Sequence, residues 1–203
     1  MKFELYQGDL PDGLEFGDSV AVDTETMGLH PRRDRLCLVQ LSAGDETCHL
    51  VQFRPNVYDA PNLKALMADP KVLKIFHYAR FDVATLRHHL GVVSQPVFCT
   101  KIASRLARTY TDRHSLKDLC AELLKVDISK QQQQSDWGAE TLSREQLEYA
   151  ATDVLYLHRI RDMLDARLVR EGRRELAQSC FDFIHHRAAL DLAGWNDIDV
   201  FDH

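Results

Sequence analysis

The sequence predicts an α/β fold: a mixed central sheet flanked by helices, one domain with a C-terminal helical extension. Three observations predict it. Short apolar segments of strand length dominate the first part of the 203-residue chain. Helix-period patterns dominate from Ala79 onward. Between them a helix-like and a strand-like segment, "PNLKALMADP" and "KVLKIFH", alternate as crossover units do.

In chain order, Lys2–Tyr6, Ser19–Thr24, Leu36–Ser42 and Cys48–Phe53 read as strands of an antiparallel meander. "RLCLVQLS" is almost continuously apolar, which fits a central strand covered on both faces. "PNLKALMADP" reads as a short helix closed by Pro70, and "KVLKIFH" as a short strand. "ARFDVATLRHHLG" is a helix with Gly91 as its C-cap. Helices follow over Cys99–Arg108, Ser115–Leu124 and Ser143–Glu171, the last opening with the capping box "SREQ". Gly172 interrupts, and a terminal helix runs to about Leu192.

Composition excludes several classes. With 45% hydrophobic and 28% charged residues the chain is an ordinary globular one. No apolar run approaches the ~20 residues of a membrane span, and "MKFELYQGDLPDG" lacks the core of a signal peptide. A cytoplasmic protein with no membrane partner is expected. Five cysteines without C-x-x-C, three of them among apolar neighbours, argue for reduced buried thiols. The ten histidines do not fall at metal-ligand spacing. A net charge of −6 argues against a long phosphate track, since affinity for nucleic acid comes from neutralised phosphates.

Four acids stand in apolar company. In "AVDTETMGLH", Asp23 and Glu25 follow a strand with one residue between them, so both point to one face. Asp82 shares its helix face with Ala79, Leu86 and Leu90, and with His89. Asp153 lies on the wheel beside Tyr149, Leu157, Ile160 and Leu164. Taken singly, each has a structural account: an exposed turn, a carboxylate on a helix dipole, a buried ion pair with an arginine, a core tyrosine. Together, inward carboxylates without matching bases call for positive charge from outside the chain. Divalent cations such as Mg²⁺ supply it, since they prefer carboxylate and water oxygens. Two of them about 4 Å apart stabilise the attacking and leaving oxygens of a phosphoryl displacement, and a bound ion lowers the pKa of its water. Tyr149 and Asp153, at i and i+4, reach the same spot, where a tyrosine hydroxyl can orient the attacking water. No P-loop and no G-x-S-x-G is present.

"DTE" after an apolar strand, Asp82 in an "F-D" helix and "YAATD" resemble the three exonuclease motifs of the DEDD superfamily, tyrosine subtype. "RLCLVQLS", "QSDW" and "QLEYAATDVLYL" look like ribonuclease D. "DTETMGL", "KIFH", "VFCTKIASRLARTYTDRH", "SKQQQ" and "LDLAGW" extend the likeness along the whole chain to short ribonuclease D-like nanoRNases. The resemblance implies a ribonuclease H-like fold, 3′–5′ hydrolysis releasing nucleoside 5′-monophosphates, and two divalent ions, Mg²⁺ or Mn²⁺. It implies that Asp23, Glu25 and Asp153 hold the metals, that Asp82 acts mainly through metal-bound water, and that Tyr149 positions the nucleophile. Residues 1–172 would form the exonuclease domain, and residues 173–203 a C-terminal helix and tail packed on the domain or on a partner subunit. A homo-octamer is implied as well.

The substrate expected is very short RNA, 5′-phosphorylated dinucleotides above all. The locally basic "TKIASRLARTYTDRHSLK" suits capture of one terminal phosphate. Leu29, His77, Arg108, Arg113, His114 and Lys117 are the substrate-binding candidates. Leu29 would wedge against the bases, and Arg113 and His114 would cap the 5′ phosphate. A general ribonuclease D-like exonuclease on longer RNA or DNA, and a non-catalytic nucleic-acid adaptor, are the alternatives. The role of "QQQQSDW" stays open: Trp137 either braces the site or lines it.

Overall fold

The computed structural model describes residues 2–129 and 131–202. Six strands form one mixed sheet: β1 (Lys2–Gln7), β2 (Ser19–Thr26), β3 (Leu36–Ser42), β4 (Thr47–Gln52), β5 (Leu73–Phe76) and β6 (Val97–Cys99), in the order β1-β4-β3-β2-β5-β6. The helices are α1 (Pro61–Ala68), α2 (Ala79–Leu90), α3 (Thr100–Ala107), α4 (Leu116–Leu119), α5 (Arg144–Leu155), α6 (Leu157–Arg170) and α7 (Arg174–Leu190). Single π-type turns extend α4 through Leu124 and α7 through Trp195.

β3 is buried at every position, as its unbroken apolar run requires. The antiparallel meander holds for β2, β3 and β4, but β1 lies parallel to β4 at the sheet edge. The chain leaves β1 toward α1 before it returns to β2. On the way the Asp9 carboxylate accepts the first free amides of that helix, Asn62 N at 2.8 Å and Leu63 N at 2.9 Å. β5 and β6 add parallel strands on the other side of β2. β6 was not foreseen, because three residues are too few to show an alternating pattern; it lies just before the helix expected from Cys99, which starts at Thr100.

The capping box at Ser143 is formed, with Gln146 N on Ser143 Oγ and Ser143 N on Gln146 Oε1. The long helix it was expected to start is two helices that part at Tyr156 (φ −100°, ψ −5°). The break lets α5 lie on β2, β3 and β4 while α6 turns away to pack on α3 and β5. Gly91 closes α2 in the left-handed conformation, as expected of a C-cap. α7 packs on α2, α3 and β6. No helix among the described residues is long and apolar enough to cross a membrane.

Parallel β2 and β5 end at the same rim, so their carboxyl ends and the start of α2 face one cleft. Tyr78, between β5 and α2, holds φ 77° and ψ 44°, a left-handed conformation that a bulky residue rarely adopts. That turn starts α2 at the cleft wall, with Asp82 in its first turn, where the helix dipole favours negative charge.

Candidate active site

The end of β2 carries the first two acids. Asp23 lies opposite Gln40 of β3, and the register slips between Glu25 and Thr26, ending regular pairing just past the second acid. Gln40, fully buried, donates from Nε2 to Asp23 Oδ2 at 3.3 Å. Thr24, between the acids, donates its hydroxyl to Asp82 Oδ1 at 2.7 Å, joining β2 to α2. Asp153 and Tyr149 reach the site from α5. Carboxylate oxygens of Asp23, Glu25 and Asp153 all lie within 4.8 Å of one another, which is donor geometry for a divalent cation. Asp82, 3% exposed, lines the same cleft but stands outside this trio.

The electrostatics point the same way. Burial pushes the Asp23 carboxyl up to about 7, against a smaller opposing effect of the Thr24 backbone. Glu25 is raised well above the ordinary range by burial and then by Asp23, Asp153 and Asp82, so every charge acting on it is another carboxylate. Asp82 is raised by burial and by Asp23, with the Thr24 hydroxyl opposing. Tyr149 is raised by burial, then by Asp153, Glu25 and Asp23, and its hydroxyl hydrogen-bonds to Asp153. Such a group of carboxylates fits a divalent cation: its donors are hard oxygens and it lacks only positive charge.

These side chains sit in a cleft of about 670 Å³. Leu29, 82% exposed, stands on its rim and also lines a second groove of about 490 Å³. His77 and Lys117 reach the cleft. His77 Nδ1 lies 2.9 Å from Thr100 Oγ1, which itself donates to the Phe76 carbonyl, so Nδ1 carries the imidazole proton. Lys117 pairs with Asp127 at 3.1 Å.

Three candidates lie elsewhere in this chain. Arg108 is 1% exposed and does not line the cleft: its guanidinium grips both oxygens of Glu122, and Nη1 donates to Ser104 Oγ and the Arg113 carbonyl. Its place is inside the α3–α4 corner, not among groups open to a ligand. Arg113 is exposed and held by Asp118 through Nε (2.9 Å) and Nη2 (2.7 Å). His114 Nδ1 lies 2.8 Å from Ser104 Oγ. Burial, with Arg108 and Arg105, holds His114 below its ordinary pKa, so at neutral pH it offers hydrogen bonds rather than charge.

The cleft also holds residues that sequence reasoning missed. Gln133, Gln134 and Ser135 form one wall, giving "QQQQSDW" a place, and Lys101 reaches the cleft with its ammonium 4.4 Å from the Tyr78 ring centre. Trp137, 2% exposed with its ring 6.1 Å from that of Tyr149, both braces and lines the site. The wall is pinned to the β2–β3 loop by Arg35 Nη2 on the Gly138 carbonyl at 2.8 Å. A side chain at position 138 would press on the ends of the Met27 and Arg35 side chains, so glycine lets the two segments meet without moving either. The signal for Gln40 was present as the polar break in "RLCLVQLS".

The family model for 3′–5′ exonucleases matches residues 9–169. The chain belongs to the 3′–5′ exonuclease family. Within that exonuclease family it is similar to Brucella melitensis NrnC with bound Mg²⁺, at 53% identity over 100% of both chains with a TM-score of 0.96. Brucella melitensis NrnC bound to pGG aligns at 54% identity over 100% of this chain and 99% of that one, with a TM-score of 0.97. Ribonuclease D of Gluconacetobacter diazotrophicus is 36% identical over 160 residues, which is 79% of this chain and 40% of that protein. The chain thus spans about two fifths of the length of the ribonuclease D relatives it matches. The exonuclease fold and the likeness to short ribonuclease D-like nanoRNases are borne out by these similarities.

Proposed function

We propose that this chain is a metal-dependent 3′–5′ exoribonuclease that hydrolyses very short RNA, 5′-phosphorylated dinucleotides above all, to nucleoside 5′-monophosphates. The observation that carries the reading is the trio Asp23, Glu25 and Asp153 beside Tyr149 in a compact cleft. The cleft volume of about 670 Å³ falls in the range of small-ligand sites, roughly 300–1,000 Å³. The likeness to NrnC bound to pGG supports a substrate of that size.

In this reading Asp23, Glu25 and Asp153 hold two divalent ions, Mg²⁺ or Mn²⁺, and Asp82 completes the acidic set. Bound there, the ions supply Lewis-acid charge to the attacking and leaving oxygens of the phosphodiester. Tyr149, its hydroxyl bonded to Asp153, orients the attacking water. Gln40 and Thr24 fix the carboxylates of Asp23 and Asp82. Leu29 meets a base at the rim, and His77 and Lys117 face the sugar-phosphate. Arg113 and His114 cap the 5′ phosphate, contributed by a neighbouring subunit, and Arg108 holds that segment in shape. Residues 1–172 are the catalytic unit and residues 173–203 its helical extension. Exposed Trp195, Ile198 and Phe201 on the tail support a homo-oligomer, octameric by resemblance, for a cytoplasmic enzyme.

The test compares turnover of a 5′-phosphorylated RNA dinucleotide with that of a ten-mer, with Mg²⁺ and with EDTA. Faster dinucleotide turnover, abolished by EDTA, is expected. Equal or faster ten-mer hydrolysis contradicts the length preference and favours a general exonuclease. Binding without hydrolysis, unchanged by EDTA, favours an adaptor.

A further inference from the structure

Leu29 has an unusual position for a leucine. It is 82% exposed at the rim of the acidic cleft, and it lines both that cleft and the neighbouring groove. With Tyr78 and Phe81 it forms the wall the two cavities share. Nothing apolar packs over an exposed leucine to hold it in place, so its position must come from the backbone that carries it.

That backbone is a closed turn built around Asp34, which is 9% exposed. Asp34 Oδ2 accepts the His30 amide at 3.0 Å, and the Asp34 amide returns to the His30 carbonyl at 2.8 Å. Arg33 brackets the same carboxylate, with Nε on Oδ1 at 2.7 Å and Nη2 on Oδ2 at 2.9 Å. Below this turn Met27 N reaches the Arg35 carbonyl at 3.1 Å, and Thr26 Oγ1 donates to the Gly28 carbonyl at 2.5 Å. His89 of α2 ties the Asp34 carbonyl to the body of the domain at 3.2 Å. A side chain at position 28 would run into the Asp34 carboxylate, so any larger residue there displaces it from the turn.

We propose that Asp34 is a positioning residue for substrate recognition: its carboxylate locks the Met27–Arg35 turn so that Leu29 stands preformed as the partition between the two cavities, one base to either side. The inference rests on the reading that Leu29 contacts a base. Preforming the wedge lowers the ordering cost of binding, so its loss falls on substrate affinity and not on the chemical step.

The test is a double-mutant cycle on a 5′-phosphorylated GG dinucleotide, with Leu29→Ala, Asp34→Asn and the double variant. Each single variant is expected to raise KM by about fivefold with kcat held within about twofold, and the double variant to be no worse than Leu29→Ala alone. Mg²⁺ affinity, measured by calorimetry without substrate, is expected to stay at the wild-type value in all three, which a general collapse of the site would not allow. Gly28→Ala attacks the same turn from the other side and is expected to give the same KM split if Asp34→Asn folds poorly. Multiplicative effects in the double variant, an unchanged KM in Asp34→Asn and Gly28→Ala, or loss of Mg²⁺ binding would overturn the proposal. A Leu29→Ala protein with wild-type KM would remove the base-contact reading and this inference together. A raised KM in Leu29→Ala alone would remove only this inference.

Discussion

Thr24 donates its hydroxyl to Asp82 at 2.7 Å, so the residue between the two acids of β2 holds the acid of α2. Asp82 is 3% exposed, and a buried carboxylate that loses a donor costs roughly 1–3 kcal/mol. Thr24→Val keeps the shape and removes the donor. It should lower kcat by about tenfold and destabilise the fold by about 1–3 kcal/mol, while Thr24→Ser restores both. Steady-state kinetics and urea unfolding on the three proteins check this; a Thr24→Val enzyme with wild-type kcat contradicts it.

The acidic cluster should make the metal-free protein sensitive to pH. Asp23 is raised from 3.8 to about 7, so its contribution to stability is full below pH 3.8 and is lost as pH rises through about 7. In EDTA the wild type should therefore lose stability relative to Asp23→Asn between about pH 4 and pH 7.5, by on the order of 1 kcal/mol or more. Mg²⁺ should raise the melting temperature of the wild type at pH 7.5 and leave that of Asp23→Asn nearly unchanged. Thermal melts across pH, with and without Mg²⁺, read both effects. Parallel curves for the two proteins would mean that burial does not raise the Asp23 carboxyl.

Arg108 and Arg113 lie five residues apart and should behave oppositely. Arg108→Ala empties a buried guanidinium site, leaves Glu122 with only Tyr110 and Arg167, and takes the donor from Ser104 Oγ and the Arg113 carbonyl, which should cost about 2–4 kcal/mol of stability. Below the melting range its KM for 5′-phosphorylated dinucleotide should rise a few-fold, because the Arg113 carbonyl loses the donor that holds the capping segment in shape. Arg113→Ala removes an exposed side chain and should leave stability within about 0.5 kcal/mol of wild type. It should also reduce the preference for 5′-phosphorylated over unphosphorylated dinucleotide by about tenfold, or ~1.4 kcal/mol. Preserved discrimination in Arg113→Ala argues against the phosphate cap.

Lys74 is a stability element far from the chemistry. Fully buried on β5, its ammonium donates to the carbonyls of Asp69 (2.7 Å), Val72 (2.8 Å) and Gln95. Lys74→Met fills similar volume but takes the ammonium from the Val72 and Gln95 carbonyls and leaves the Asp69 carbonyl only the Val72 amide, a loss of about 3 kcal/mol. Denaturant unfolding measures it; an unchanged midpoint would show that other groups or water take over those carbonyls.

Much of the fold was legible because its signals are local. The β3 run, the Ser143 capping box and the Gly91 C-cap each rest on a few adjacent residues and appear as expected. The parallel placement of β1 was not legible, since it depends on the route the chain takes past α1. Nor was the split at Tyr156, where the wheel pattern runs on unbroken and tertiary packing decides. In the site, Asp23, Glu25, Asp82, Tyr149 and Asp153 stood out as polar groups in apolar company. Arg108 misled because basic charge along a helix carries no sign of which side turns inward, and its partner Glu122 lies on a different helical segment. Thr24 was hidden, and the polar break at Gln40 gave no sign of its partner, because their parts depend on distances across the sheet and between layers.

The carboxylates of Asp23, Glu25 and Asp153 offer oxygens within 4.8 Å of one another, and whether they hold divalent cations decides the proposed function. The most direct measurement is a crystal grown with Mn²⁺ and imaged by anomalous scattering at the manganese edge. Anomalous peaks held by these three side chains, within reach of Asp82 and beside the Tyr149 hydroxyl, are expected. An empty site at millimolar Mn²⁺, with the three carboxyl groups turned apart toward solvent, would contradict the proposed function.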